Sequence, residues 1–199
     1  MKKKIFSLAL VTCCVAVLAF GSTMAYFTAD DVAHNVITSG KIDIQLNEVT
    51  LKVDPETGEP VPFENVTGVM PNEQIDKIVS VENINLAAPA FIRVWVKPEI
   101  VLSNENADKQ DQVDYSMIKM DFNDKDWTYR EGYWYYNKIL DTSAETDPLF
   151  TKVEFNKEMG NMYQGAQVTV HVTAQAVQST NNGATAWEAK GWPAIASEE

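Results

Sequence analysis

The chain has 199 residues, with 28 acidic against 16 basic side chains and a formal net charge of −12. Such a balance repels phosphate backbones and anionic lipid heads, so nucleic acid is not expected as a partner. At 45% hydrophobic residues the chain can build a real core, and no internal repeat or second composition regime divides it, so one domain is expected.

The N-terminus reads as an export signal. Met1-Lys2-Lys3-Lys4 is a short positive start, Ile5 to Phe20 carries no charge, and Gly21-Ser22-Thr23-Met24-Ala25 is a small-residue exit toward a peptidase. The run is too short and wrongly flanked for a comfortable stop-transfer helix, although a retained anchor is the competing reading. Cys13 and Cys14 both lie inside it, so the mature chain has no thiol and must hold its fold without disulfides. Leu10-Val11-Thr12-Cys13 has a faint look of a lipoprotein box, but Thr12 is a poor residue before a lipidated cysteine. Removal of the signal takes three lysines with it and moves the net charge from −12 to −15.

Strand signals dominate the chain beyond the signal. In the leader, Val32, His34 and Val36 share one face of a potential strand and Ala33, Asn35 and Ile37 the other. Ile42, Ile44 and Leu46 alternate with polar residues, Thr50 to Val53 continues the pattern, and Asp54-Pro55-Glu56-Thr57-Gly58-Glu59-Pro60 is a turn. Ile75 to Glu82 carries another strand. Ala90 to Val96 is apolar almost throughout, so both its faces should be covered, and its Arg93 then needs a carboxylate partner or a route to water. Leu102 to Val113 is an acidic loop with room for a helical turn. Trp127-Thr128-Tyr129 and Gly132 to Leu140 should face each other across Arg130-Glu131-Gly132 as a hairpin. Leu149 to Phe155 is a further strand, and Val168, Val170, Val172, Ala174 and Ala176 give the cleanest alternation. One helix is expected, from near Asn182 through Ala184 to Lys190, ending at Gly191. Many short strands with turns between them predict an all-β sandwich.

Several of these pieces, in this order, resemble the TasA and camelysin family of Gram-positive secreted proteins, which are exported with the dedicated signal peptidase SipW. The carriers are Ala25-Tyr26-Phe27-Thr28-Ala29-Asp30, Asn35 to Ile44, Met70-Pro71-Asn72-Glu73-Gln74-Ile75 and Val81-Glu82-Asn83. Further on, Arg93 to Val96, Gly132 to Tyr136 and Ala174 to Gln178 match the clostridial branch, so the likeness runs from the signal to about Trp192. The resemblance implies an antiparallel jelly-roll-like sandwich with short helical segments behind a signal helix, secreted into the matrix between cells. It also implies self-association into fibres, in which a freed N-terminal segment adds as a strand to the next subunit. Here that segment is Phe27 to Thr38, with Phe27, Val32, His34, Val36 and Ile37 as candidate assembly residues. A plain first strand paired within its own sandwich is the competing reading. The usual alanine rule cuts after Ala25; the family pattern, preferred here, cuts between Tyr26 and Phe27. The resulting division is a signal at 1–26, a leader at 27–40, one sandwich domain at 41–192 and a polar tail at 193–199.

Catalysis is not expected. Camelysin-type members have been classed as metalloproteases, but His34 and His171 are the only histidines, and no His-Glu-x-x-His places two imidazoles one helical turn apart. No Gly-x-Ser-x-Gly occurs either. No cofactor is expected apart from a secondary calcium candidate, Asp121, Asn123, Asp124 and Asp126. There the glycine that a helical calcium loop needs at its sixth position is replaced by Asp126, and a solvated acidic turn is the plainer account. Trp127, Tyr129, Tyr133, Trp134, Tyr135 and Tyr136 could stack on sugars, although cross-strand core packing explains most of them. Asn65-Val66-Thr67 fits a eukaryotic glycosylation acceptor, which a bacterial resemblance makes uninformative. No Leu-Pro-x-Thr-Gly sorting signal is present, so wall attachment by that route is not expected. The leading expectation is a secreted, non-enzymatic fibre subunit, with other matrix components as further partners. A monomeric adhesin or glycan-binding module is the alternative, and a camelysin-like peptidase the least favoured.

Overall fold

Alternating burial along the long strands shows how the sequence pattern becomes a sandwich. In the computed structural model, which describes residues 27–30, 35–38 and 42–194, Ile44, Leu46 and Glu48 point inward while Gln45 is exposed. The leader supplies β1 (Phe27–Asp30) and β2 (Asn35–Thr38). β3 (Ile44–Val53) turns through Gly58 into the short β4 (Pro60–Pro62), and β5 (Val66–Val69) follows. Then come β6 (Gln74–Asn83), β7 (Ala90–Val101), β8 (Ile118–Met120), β9 (Trp127–Arg130), β10 (Tyr133–Tyr136), β11 (Phe150–Phe155) and β12 (Gln167–Gln178).

These strands form two sheets. One runs β5-β1-β12-β7-β10-β9, with β2 also on β12; the other runs β4-β3-β6-β11-β8. Pairing is antiparallel except for β1 and β2, which both run parallel to β12. Between the sheets lie Val79, Val81, Ile92, Val94, Phe150, Phe155 and the inward residues of β12, Val168, Val170, Val172, Ala174 and Ala176. The aromatic hairpin forms as expected. Glu131 and Gly132 both take positive φ (48° and 86°), the two-residue turn whose twist suits an antiparallel pair.

β7 runs further than Val96, through Pro98 to Val101. Its pairing with β10 covers only Arg93 and Val94, so Pro98 lies on a stretch of β7 that β10 does not reach, where a missing N–H is tolerated. The acidic loop contains a 3-10 segment, Asn104–Gln112, with no buried residue.

The helix expected at Asn182 to Gly191 is absent; that stretch is a series of turns. Gly183 at φ +95° breaks the helical path. The Asn182 side chain then donates to the carbonyls of Gln178 and Lys190 and accepts from the Lys190 N–H, closing a compact loop. This is an asparagine competing successfully with the helical ladder for backbone partners. The loop places Ala186 and Ala189 on Phe91, Tyr135 and Val177, forming a second small core on the outer face of the larger sheet.

Arg93 is buried beneath this C-terminal segment, but not with a carboxylate. Its Nε donates to Gln175 Oε1 (2.7 Å), Nη1 to Tyr135 Oη (3.3 Å) and Nη2 to the Pro193 carbonyl (3.1 Å). The guanidinium lies 3.8 Å from the Tyr133 ring centre and 4.6 Å from that of Trp192. Neutral acceptors and ring faces thus replace the anion expected for a buried cation. Lysine has neither the planar face nor the fork, so Arg93→Lys should cost about 1–3 kcal/mol and loosen the C-terminal segment. Denaturant unfolding, with limited proteolysis after residue 178, measures both effects.

Candidate assembly site

β12 is the strand on which the site is built. Along one side all twelve of its residues pair with β7, from Gln167 opposite Val101 to Gln178 opposite Ala90. Among the described residues, its other side pairs with the leader alone. β1 sets Thr28, Ala29 and Asp30 opposite Gln167, Val168 and Thr169, and β2 sets Asn35, Val36, Ile37 and Thr38 opposite Thr173 to Ala176.

β1 also separates β12 from β5. Its second side pairs antiparallel with β5, with Phe27 opposite Val69, Thr28 opposite Thr67 and Ala29 opposite Val66. A register shift falls between Phe27 and Thr28, close to Gly68 at φ +75°. Among the described residues β5 has no other neighbour in its sheet, so β1 fills a slot with a strand on either wall. Sequence reading missed β5; its four residues hold one glycine and little alternation, and only Gly68 hinted at a bulge.

The ties holding the leader are short and split, with three residues of β1 on β12, three on β5 and four of β2 on β12, against the unbroken twelve-residue antiparallel contact of β7. Of the candidate assembly residues, Phe27, Val36 and Ile37 fall in paired strands. Val32, His34 and the cleavage positions Ala25 and Tyr26 lie outside the described residues, as does the whole signal at 1–26. Among the described residues the leader contributes two short strands, β1 and β2, where one strand was expected.

The calcium candidates are spread over different tasks. Asp121 accepts from the Thr151 and Lys152 N–H groups and from Thr151 Oγ1, fastening the start of β11. Burial pushes the Asp121 pKa up, but these hydrogen bonds outweigh it and the carboxyl is held below its ordinary value. Asn123 Nδ2 donates to Asp126 Oδ2 and the Pro148 carbonyl, while Asp124 is exposed. Asp126 turns to Lys138 (2.8 Å), whose Nζ also meets Asp147 (2.7 Å). Among the described residues no three of His, Cys, Asp or Glu gather as a metal site would require. His171 pairs with Glu99 at 2.8 Å on the outer face.

Lys138 has a pH consequence. Its hydrogen bonds hold Asp126 below the usual carboxylate value, helped by Asn123, and hold Asp147 low together with the Tyr136 hydroxyl. Lys138 is itself raised, by Asp126 first and then Asp147. The lowered carboxylates contribute stability above their ordinary pKa of 3.8 and lose it as pH falls through their folded values. The raised ammonium contributes fully below 10.5 and loses its share only as pH climbs through its folded value. Stability should therefore fall on acidification below about pH 4, and Lys138→Met should make that acid limb shallower in urea titrations.

The aromatic set divides between two cores. Trp127 packs on Tyr136 at 5.0 Å and Trp134 stacks on Phe122 at 4.3 Å, both within the sandwich, while Tyr133 and Tyr135 face Arg93 and Trp192. Tyr129, at 59% exposure, is the one well exposed ring of the six.

Compared with known proteins, the chain matches no family model, no curated protein and no solved structure. The fold defines a two-sheet β-sandwich with its N-terminal leader paired along β12.

Proposed function

We propose that this protein is a secreted, non-catalytic structural subunit of an extracellular matrix or surface fibre, joined by strand addition after a SipW-type peptidase frees the leader. One observation carries this reading: β1 lies between β5 and β12 while contributing only four residues to the sheet. A strand in such a slot can be exchanged for the same segment of a neighbouring subunit, with the same register and direction and almost no change in backbone pairing. An emptied slot would expose two edges at once, which favours a subunit that refills it.

The finer fold reading is jelly-roll-like. Its support is the chain's habit of changing sheet at most connections after β4, with β5, β7, β9, β10 and β12 in one sheet and β6, β8 and β11 in the other. The non-catalytic reading rests on the missing zinc-peptidase and serine-nucleophile motifs, and the secreted location on the signal.

Mature protein with and without residues 27–40 tests assembly. Fibres by electron microscopy from the intact form and none from the truncated form are expected; equal fibre formation defeats strand addition. The alternative, a monomeric glycan-binding module, draws on exposed Tyr129, 5.1 Å from Trp134. It predicts a stable monomer with a saturable sugar ligand that Tyr129→Ala abolishes.

A further inference from the structure

The outer face of the smaller sheet changes character along its length. In register across β3 and β6, Gln45 stands opposite Glu82, Asn47 opposite Ser80 and Val49 opposite Ile78. Beyond that last pair β3 continues outward as Leu51 and Val53, which are 61% and 59% exposed. A strand facing solvent should carry polar residues at these outward positions, and here three successive ones are branched and apolar. They wall a concave groove of about 580 Å³, closed on its other flanks by Pro60 and Pro148.

The polar end of the groove is anionic and built. Glu145 Oε1 accepts from Ser80 Oγ (2.5 Å) and from Asn47 Nδ2 (2.9 Å), which fixes the carboxylate against the sheet. Glu82 and Glu59 also line the groove, and among the described residues no basic side chain does. Among the described residues none of the three carboxylates has a cationic partner within an ion pair's reach.

We infer that this groove docks an extended, cationic–apolar segment of another protein, with a lysine or arginine at Glu145 and branched apolar side chains on Val49, Leu51 and Val53. The spacing follows from strand geometry. Asn47, which holds Glu145, and Leu51 are four residues apart on one face, roughly 13 Å at 3.3 Å per residue. An extended ligand therefore places its cation at one position and its apolar side chains two and four residues away, all on one face. Charge selects the occupant: a basic segment is drawn in by the three carboxylates that line the groove, Glu59, Glu82 and Glu145.

The probe is a fluorescently labelled, strand-forming heptapeptide in which threonines alternate with lysine, valine and isoleucine in that order. A matched peptide carrying glutamate in place of lysine is the control. Titrated against the mature full chain in anisotropy, the lysine peptide should bind saturably and weaken as salt rises. Leu51→Asp and Glu145→Gln, at solvent-facing positions and with melting temperatures checked, should each weaken it by about tenfold. No saturable binding, equal binding of the glutamate peptide, or undiminished binding by both variants overturns the proposal. A Leu51→Asp change that instead alters sedimentation of the chain alone also overturns it, by assigning the face to self-association.

Discussion

A disulfide engineered between positions 29 and 66 should halt fibre growth and stabilise the isolated subunit at the same time. Ala29 and Val66 are register partners across the antiparallel β1–β5 pair, and directly opposite residues of such a pair lie within the Cα span a disulfide needs. The natural cysteines are Cys13 and Cys14, both in the segment read as a signal, so the test uses protein that begins at Phe27. Closing this loop should add about 2–4 kcal/mol to the folded monomer, seen as a higher urea midpoint than in the reduced form. If fibres grow by lending β1 to a neighbour, the oxidised protein cannot lend it, and growth should fall to background and return on adding reductant. If oxidised and reduced proteins grow alike, the leader stays on its own sheet and assembly uses another surface. The two readouts separate a failed cross-link from a failed mechanism, because a cross-link that forms must still shift the midpoint.

The second large effect should come from within the smaller sheet. Glu48 on β3 and Lys77 on β6 form an ion pair at 2.6 Å with side-chain exposures of 4% and 3%, and the ammonium lies 4.2 Å from the centre of the Phe63 ring. Both charges have been taken out of water, so each is worth more as a partner to the other than as a contribution to stability. Lys77→Met should destabilise by about 3–5 kcal/mol, because Glu48 then stays buried while losing the Lys77 ammonium. Adding Glu48→Leu to that variant should recover most of the loss, since two apolar side chains need no partner there. Chemical denaturation of the two single variants and the double measures the coupling directly. Additive losses would mean that the pair is not acting as a unit.

The position of that pair also shows where reading the sequence stops. Glu48 and Lys77 sit at inward positions of alternating strands, which a pattern of apolar and polar residues can only score as breaks. What makes them compatible with the core is that they meet diagonally across neighbouring strands, Glu48 standing opposite Val79, and register is a tertiary fact. Arg93 shows the same boundary. Its burial was legible from the apolar run around it, while its partners come from β10, β12 and the C-terminal segment, as far away as Pro193.

What the sequence determined by itself is the local part of this protein. Period-two alternation at Ile44 to Leu46 and at Val168 to Ala176, the Glu131-Gly132 turn and the prolines around Gly58 each act over a few residues, and each produced the strand or turn expected. Where local preferences compete, only the assembled structure decided. The alanines after Asn182 favour a helix on propensity, but one asparagine side chain and a glycine at positive φ hold a loop that lets them pack on Phe91. Only tertiary structure placed β5 beside β1, directed the leader parallel to β12, dispersed the acidic residues of 121–126 among separate partners, and gathered three carboxylates around an apolar groove. Each of those outcomes joins residues far apart in the chain, and nothing within a short window carries the free energy that selects them.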